Sequence, residues 1–216
     1  HKLLFDRPLR YSEDIDLIQL EPGPIGKTVD AIKSALAWLG PCKREPARHS
    51  MHLTFRFAPE WEPGTRRKLK VEINTREHFA VHGYDSQRVE VANPWFAGYA
   101  EVPTFSLPEL LATKLRALYQ RKKGRDLFDL GLALQRGDVS PDRVVEVFAK
   151  YMEAEGAKVT RAMFEQNLAA KKKDPIFTAD MTPLLAHGQS WDFDDAFERV
   201  WTGLVVRLSG DPWKGG

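Results

Sequence analysis

The sequence predicts an α+β protein: a small mixed β-sheet core with flanking helices, followed by a C-terminal helical region. Three observations predict it. Period-two alternation, the mark of a strand with one buried face, recurs before residue 75. One helical pattern separates those strands. Beyond Pro103 the apolar spacing turns helical and stays so. The expected division is an α/β core over residues 1–103 and a helical domain over 104–216.

The elements follow in order. The chain opens with His1-Lys2-Leu3-Leu4-Phe5, apolar and helix-like, without a Met or a capping residue. It reads as the end of a longer segment, so part of the N-terminal core is expected to lie upstream. Asp14 to Leu20 reads as a strand. Ile25 to Leu39 carries apolar residues at 25, 29, 32, 36 and 39, and Gly40-Pro41 stops that helix. Met51-His52-Leu53-Thr54-Phe55-Arg56-Phe57 alternates as a strand, and Pro59 to Gly64 is a loop. Lys68-Leu69-Lys70-Val71-Glu72-Ile73-Asn74 alternates cleanly. Val89-Glu90-Val91 predicts a short further strand. Ser106, Pro108 and Glu109 suit a helix start. Helical spacing then covers about 107–121, 126–136, 141–154, 160–170 and 191–208.

Composition narrows the function classes. The chain is 43% hydrophobic with six Trp, twelve Phe and five Tyr, enough for a substantial core. Lys+Arg 32 against Asp+Glu 30 leaves a formal charge of +2, which says little about partners. Its distribution says more. Arg66, Arg67, Lys68 and Lys70 cluster, as do Arg116, Arg121, Lys122, Lys123 and Arg125. Clustered cations suit a phosphate-rich partner, and equally a solvated charged face. The single Cys42 excludes an intrachain disulfide and a thiolate metal site, and a reducing cytoplasm is the expected location. No signal peptide is visible, and no apolar run approaches the roughly 18 residues a membrane helix needs.

Asp14 and Asp16 are the first candidate site. On a strand, side chains two apart share a face, so both carboxylates project together, roughly 6.5–7 Å apart at the backbone. Such a pair can hold hard divalent cations, and two acids near a turn can equally just face solvent. In 68–74, Lys68, Lys70, Glu72 and Asn74 share a face. If the two strands lie side by side, Glu72 joins the aspartates, and three converging carboxylates repel unless cations lie between them. The alternative is a surface ion pair between Glu72 and Lys70. Lys114 falls on or beside the apolar stripe of Leu107, Leu110, Leu111, Leu115 and Leu118. It either snorkels to water or reaches into a cleft to hold a phosphate. In Arg121-Lys122-Lys123-Gly124-Arg125-Asp126-Leu127-Phe128-Asp129, Asp126 can cap the next helix and Arg125 can pair with Asp129. The functional reading makes that basic turn an edge for triphosphate or RNA. His49-x-x-His52 reads as a surface pair where a turn enters a strand, and Cys42 reads as inert. Trp61 and Trp95, in loops, can pack or stack on a base.

Four segments occur in a telling order: Arg10-Tyr11-Ser12-Glu13-Asp14-Ile15-Asp16-Leu17, Lys70-Val71-Glu72-Ile73-Asn74, Glu109-Leu110-Leu111-Ala112-Thr113-Lys114-Leu115, and Arg125-Asp126-Leu127-Phe128-Asp129-Leu130. Over roughly residues 1–135 the chain resembles the AbiEii/AbiGii toxin family of nucleotidyltransferases, which includes the mycobacterial MenT toxins and resembles DNA polymerase β-like enzymes. The resemblance implies a nucleotidyltransferase core and a Mg²⁺-dependent toxin of a toxin–antitoxin system. It implies transfer of a nucleotide from an NTP to an acceptor such as the 3′ end of tRNA, and a cognate antitoxin. A non-catalytic relative that binds RNA or an antitoxin is the alternative. Asp14, Asp16 and Glu72 would be the catalytic metal carboxylates of a two-metal site, and Asp126 a further catalytic acid. Lys114 would meet the nucleotide phosphates, with Ser12 and Arg10 in support. Arg121, Lys122, Lys123 and Arg125 would meet RNA. The family's Gly-Gly-Thr/Ser turn, some ten residues before the paired aspartates, is not in this sequence, which opens on what resembles the helix after it.

Overall fold

The computed structural model describes residues 9–12 and 14–215, so the helix-like opening at His1–Phe5 and the position of Glu13 lie outside the described residues. The chain divides into two units. One is Ser12–Phe79. The other takes in the described residues of His1–Tyr11 together with Ala80–Gly216.

In the first unit, four strands form a mixed sheet in the order β1-β4-β3-β2. They are β1 (Asp14–Ile18), β2 (Cys42–Pro46), β3 (Ser50–Phe57) and β4 (Arg67–Asn74). β1 runs parallel to β4, whereas β3 is antiparallel to both β4 and β2. Alternation does the sorting. Met51, Leu53 and Phe55 of β3 and Val71 and Ile73 of β4 are buried on one face, where they pack with Val29 of helix α1 (Gly26–Ala35) and Leu39. Each such aliphatic or aromatic side chain stabilises the fold by about 1.5–3 kcal/mol. The opposite face keeps the polar set of β3 and β4. The helix expected over 25–39 is shorter: α1 ends at Ala35, and Ala37–Leu39 tightens into a 3₁₀ turn before Gly40, whose φ of 90° suits glycine. β2 was not expected; its Lys-Arg-Glu-Pro run is almost wholly exposed and carries no apolar period.

The second unit holds a two-stranded ribbon and helices. β5 (Tyr84–Asn93) and β6 (Phe96–Phe105) pair antiparallel. Only three residues of β5 were expected, and β6 was not. Most of the ribbon is exposed on both faces, so burial imposes no alternation. The Asn93 side chain accepts hydrogen bonds from the backbone N–H of Trp95 (3.0 Å) and Phe96 (2.9 Å), which closes the tight turn. Pro103 is tolerated because a two-stranded ribbon has an open edge on each side.

The helices are α2 (Leu107–Gln120), α3 (Gly124–Arg136), α4 (Pro141–Ala154), α5 (Arg161–Lys172), α6 (Pro175–Ala179) and α7 (Phe193–Gly203). The five helical spans expected here correspond to α2, α3, α4, α5 and α7, whereas α6 is a single Pro-initiated turn too short to show a period. Leu111, Leu115 and Leu118 of α2, Leu127 and Leu130 of α3, Phe148 of α4, Phe164 of α5 and Phe177 of α6 share one core. α3 packs closely on α7: a Cβ on Gly131 would lie 2.9 Å from Ala196 Cβ. Two buried charges anchor α2. Glu109 accepts hydrogen bonds from the N–H groups of Val81 (2.6 Å) and His82 (3.0 Å) and from the Tyr151 hydroxyl (2.8 Å). At the other end, Lys171 donates to the carbonyls of Leu118 and Tyr119, satisfying C-terminal groups that the helix leaves open. Ser106 occupies the N-cap position, but its hydroxyl makes no cap bond. Among the described residues, no helix is long and apolar enough to cross a membrane.

Candidate active site

The first cluster lies on the polar face of the sheet. The parallel register sets Asp14 beside Lys70 and Asp16 beside Glu72. Partners in register project to the same face, so the three carboxylates share one surface, as the alternation implied. The rows continue across the sheet. Glu72 is opposite His52, which is opposite Glu45; Lys70 is opposite Thr54, which is opposite Lys43. The sheet therefore displays Asp16-Glu72-His52-Glu45 in one row and Asp14-Lys70-Thr54-Lys43 in the next.

The contacts in this cluster are specific. Lys70 Nζ donates to Glu72 Oε2 at 2.6 Å, and His52 Nε2 lies 3.4 Å from Glu72 Oε1 and 2.8 Å from Ser50 Oγ. The hydrogen bond to Glu72 raises the Lys70 pKa against the cost of partial burial, with the charges of Asp14 and Asp16 adding to it. Desolvation pulls Glu72 upward, yet the hydrogen bond and charge of Lys70, with His52, bring its carboxyl below the usual value. Ile15 and Leu17, on the other face of β1, remain 41% and 37% exposed. His49 approaches Arg76 rather than His52.

Donor chemistry here suits a hard cation. Asp14 and Asp16 offer carboxylate oxygens on one exposed strand face, the type of ligand that Mg²⁺ takes. Glu72 stands beside them in register but is held by Lys70. Among the described residues, no group of three or more His, Cys, Asp or Glu side chains is arranged to hold a metal. The aspartate pair supplies hard oxygen donors on its own, and the Glu72 carboxylate beside it is held by Lys70.

The second cluster lies within the helical unit. Lys114 projects from α2 beside the buried leucines, and Asp126 and Asp129 are three apart on α3, hence on one face. Lys114 Nζ is 3.2 Å from Asp129 Oδ2 and 3.6 Å from Asp126 Oδ1. Each aspartate is also gripped by an arginine. Arg10 Nε and Nη2 donate to the two oxygens of Asp129, both at 2.7 Å. Arg121 Nε and Nη2 donate to Asp126 at 2.7 and 2.8 Å. Arg10, Asp126 and Asp129 are buried, whereas Lys114 keeps 29% of its side chain exposed. Both forks have the bidentate geometry that makes arginine–carboxylate pairs strong.

Several expectations change here. Asp126 does not cap α3, because Lys123 is the N-cap residue, without a side-chain cap bond. Its carboxylate goes to Arg121 and Lys114 because it sits inside the first turn, facing α2. Asp129 is held by Arg10 and Lys114, not by the helix-surface pair with Arg125, because it faces the interior. Ser12 is half-buried. The basic turn is largely matched by acids: Arg121 by Asp126, Lys122 by Asp174 at 3.0 Å, and Lys123 by Asp180 at 3.6 Å. Trp61 and Trp95 are 85% and 90% exposed. Asp129 pairs with Arg10, His52 approaches Glu72 and Lys171 closes the end of α2, none of which local spacing predicts. Asp129 had a usable signal, since two acids three apart inside the apolar run Leu127-Phe128-Leu130 must find buried cations. Lys171 had none: a lysine in a run of three reads as surface charge.

Comparison with known proteins agrees with this architecture. A family model described as nucleotidyl transferase AbiEii toxin, type IV toxin–antitoxin system, matches residues 2–199. Among solved structures, the chain is similar to MenT4, a nucleotidyltransferase toxin of Mycobacterium tuberculosis. The identity is 17% and the TM-score 0.59, covering 93% of this chain and 70% of that one. It is also similar to a candidate nucleotidyltransferase of H. pylori, at 17% identity and a TM-score of 0.55, covering 90% of this chain and 76% of that one. At such identities the likeness concerns the fold. Among curated proteins none matches by sequence.

Proposed function

The chain belongs to the AbiEii family of nucleotidyl transferase toxins of type IV toxin–antitoxin systems, and from that membership we propose that it is a Mg²⁺-dependent nucleotidyltransferase acting on RNA. It takes a nucleotide from an NTP and places it on an acceptor hydroxyl, the 3′ end of tRNA being the acceptor of choice. Blocking that end would stop aminoacylation, which accounts for toxicity and calls for a cognate antitoxin in the same cytoplasm.

The observation that carries this reading is the register of β1 on β4, which sets Asp14, Asp16 and Glu72 on one sheet face. Asp14 and Asp16 would hold the cations, with Glu72 as third carboxylate once it leaves Lys70. When bound, the metal ions supply positive charge to the attacking hydroxyl and the departing pyrophosphate. Lys114 is assigned to the nucleotide phosphates as a fixed ammonium group. Asp126, fully buried and in contact with Lys114, orients that ammonium and does not face solvent. Arg121, Lys122, Lys123 and Arg125 are assigned to an RNA edge, where a phosphate backbone would displace Asp174 from Lys122 and Asp180 from Lys123 while Arg121 keeps its fork on Asp126.

A second reading, a non-catalytic relative that binds RNA or antitoxin, is favoured by one observation: Lys70 occupies the Glu72 carboxylate. One assay separates the two. Each labelled NTP is incubated with Mg²⁺, total RNA and the protein. The enzyme reading expects label in RNA, dependent on the metal. Absence of transfer with every NTP, alongside retained RNA binding, supports the non-catalytic relative.

A further inference from the structure

The four charged side chains around Lys114 shape how that lysine meets an anion. Arg10, Lys114 and Arg121 carry three positive charges; Asp126 and Asp129 carry two negative ones. Each aspartate is bidentately hydrogen-bonded by its own arginine. Lys114 sits between them, 3.2 and 3.6 Å from the nearest oxygens; its side chain is 29% exposed and that of Arg121 48%, whereas both acids are buried. The two acids fix where the ammonium stands. Each acid already has an arginine, so Lys114 is a further positive charge beside two carboxylates that are paired without it.

We propose that Arg10 and Asp129 act as positioning residues that hold Lys114 as a pre-oriented cation for a triphosphate. The proposal rests on the assignment of Lys114 to nucleotide phosphates. Arg10 does not touch the nucleotide; at 6% exposure its guanidinium is committed to Asp129 and, through Nη1, to the Tyr11 carbonyl at 3.0 Å. Its effect is electrostatic and passes through Asp129. Without Arg10, Asp129 loses its bidentate partner and, 3.2 Å from the ammonium, draws Lys114 into a closer ion pair. The anion must then compete with a buried carboxylate, whose attraction is strong in a low-dielectric setting. If Asp129 is removed together with Arg10, that competitor is gone and Asp126 keeps its own arginine. Replacing a buried ion pair by apolar side chains of similar volume is often tolerated.

This gives a test with a sign that loss of structure alone does not reproduce. Binding of inorganic triphosphate is measured by calorimetry for the wild type, Arg10→Met, Arg10→Lys, Arg10→Met with Asp129→Leu, and Lys114→Met, with thermal melts confirming folding. Arg10→Met is expected to weaken binding about tenfold, the scale of one charge-assisted contact. Adding Asp129→Leu is expected to restore affinity to within about threefold of wild type. Arg10→Lys, which keeps the charge and loses the fork, falls between. It stands in for Arg10→Met if that variant does not fold. A folded double variant as weak as Arg10→Met overturns the proposal. So does wild-type affinity in Arg10→Met when Lys114→Met has lost binding. Wild-type affinity in Lys114→Met overturns the phosphate assignment of Lys114 itself, and the proposal with it.

Discussion

Asp14 and Asp16 stand exposed on an edge strand, whereas Asp126 and Asp129 are buried on a helix with cations locked to them. The two regions solve opposite problems. An exposed carboxylate pair costs little to keep charged and remains reachable by a cation. Its spacing follows from the strand. A buried acid must be paired, so its position is set by every group that pairs it, and so is the position of whatever lies between. Accessibility and fixed geometry are thus divided between the sheet face and the helix pair.

The largest effect expected from breaking this contrast is on stability. Asp129→Ala leaves the buried Arg10 guanidinium without its fork and should cost about 3–5 kcal/mol in urea unfolding. A loss below about 1 kcal/mol would mean that Arg10 finds water or another partner. Next in size, Asp14→Ala and Asp16→Ala should each cut nucleotidyl transfer at least about a hundredfold. Both should leave the melting temperature where it was. Robust transfer surviving both changes would remove the sheet face from the active site.

A smaller and oppositely signed effect sharpens the same comparison. Lys70→Met frees Glu72 toward Asp16, so Mg²⁺ should bind several-fold more tightly by calorimetry. Unchanged or weaker binding would show that Glu72 does not serve the metal.

The smallest effect tests the buried cation at the end of α2. Burial pushes Lys171 down from 10.5 to about 8. Between those values the unfolded chain binds the extra proton, so this residue's contribution to stability rises as pH climbs through that window. Below about 8 the cost of the buried charge is present in full. The wild type should therefore gain stability relative to Lys171→Met from pH 8 towards 10.5, read as the difference in melting temperature. A flat difference across that range would mean that the ammonium stays charged in its site.

Much of the fold was legible because burial wrote a period into the chain. β3, β4 and the long helices carry it, and α4 falls where its spacing placed it. The β5–β6 ribbon was nearly invisible for the converse reason: with both faces largely exposed, no alternation was imposed. The sheet-face carboxylates were legible in part. The alternation in 68–74 placed Glu72 opposite Val71 and Ile73, but that β1 runs parallel to β4 in register is a long-range fact.

What the sequence determined by itself is which residues share a face: Asp14 with Asp16, Lys70 with Glu72, and Lys114 beside a leucine stripe. Those relations repeat every two or 3.6 residues and depend on local backbone geometry. What the tertiary structure decided is who meets whom: Glu72 with Lys70, Asp129 with Arg10 and not Arg125, and Lys114 between two acids. Charge pairing acts through space over a few ångströms, and a partner 119 residues away leaves no mark on the local pattern.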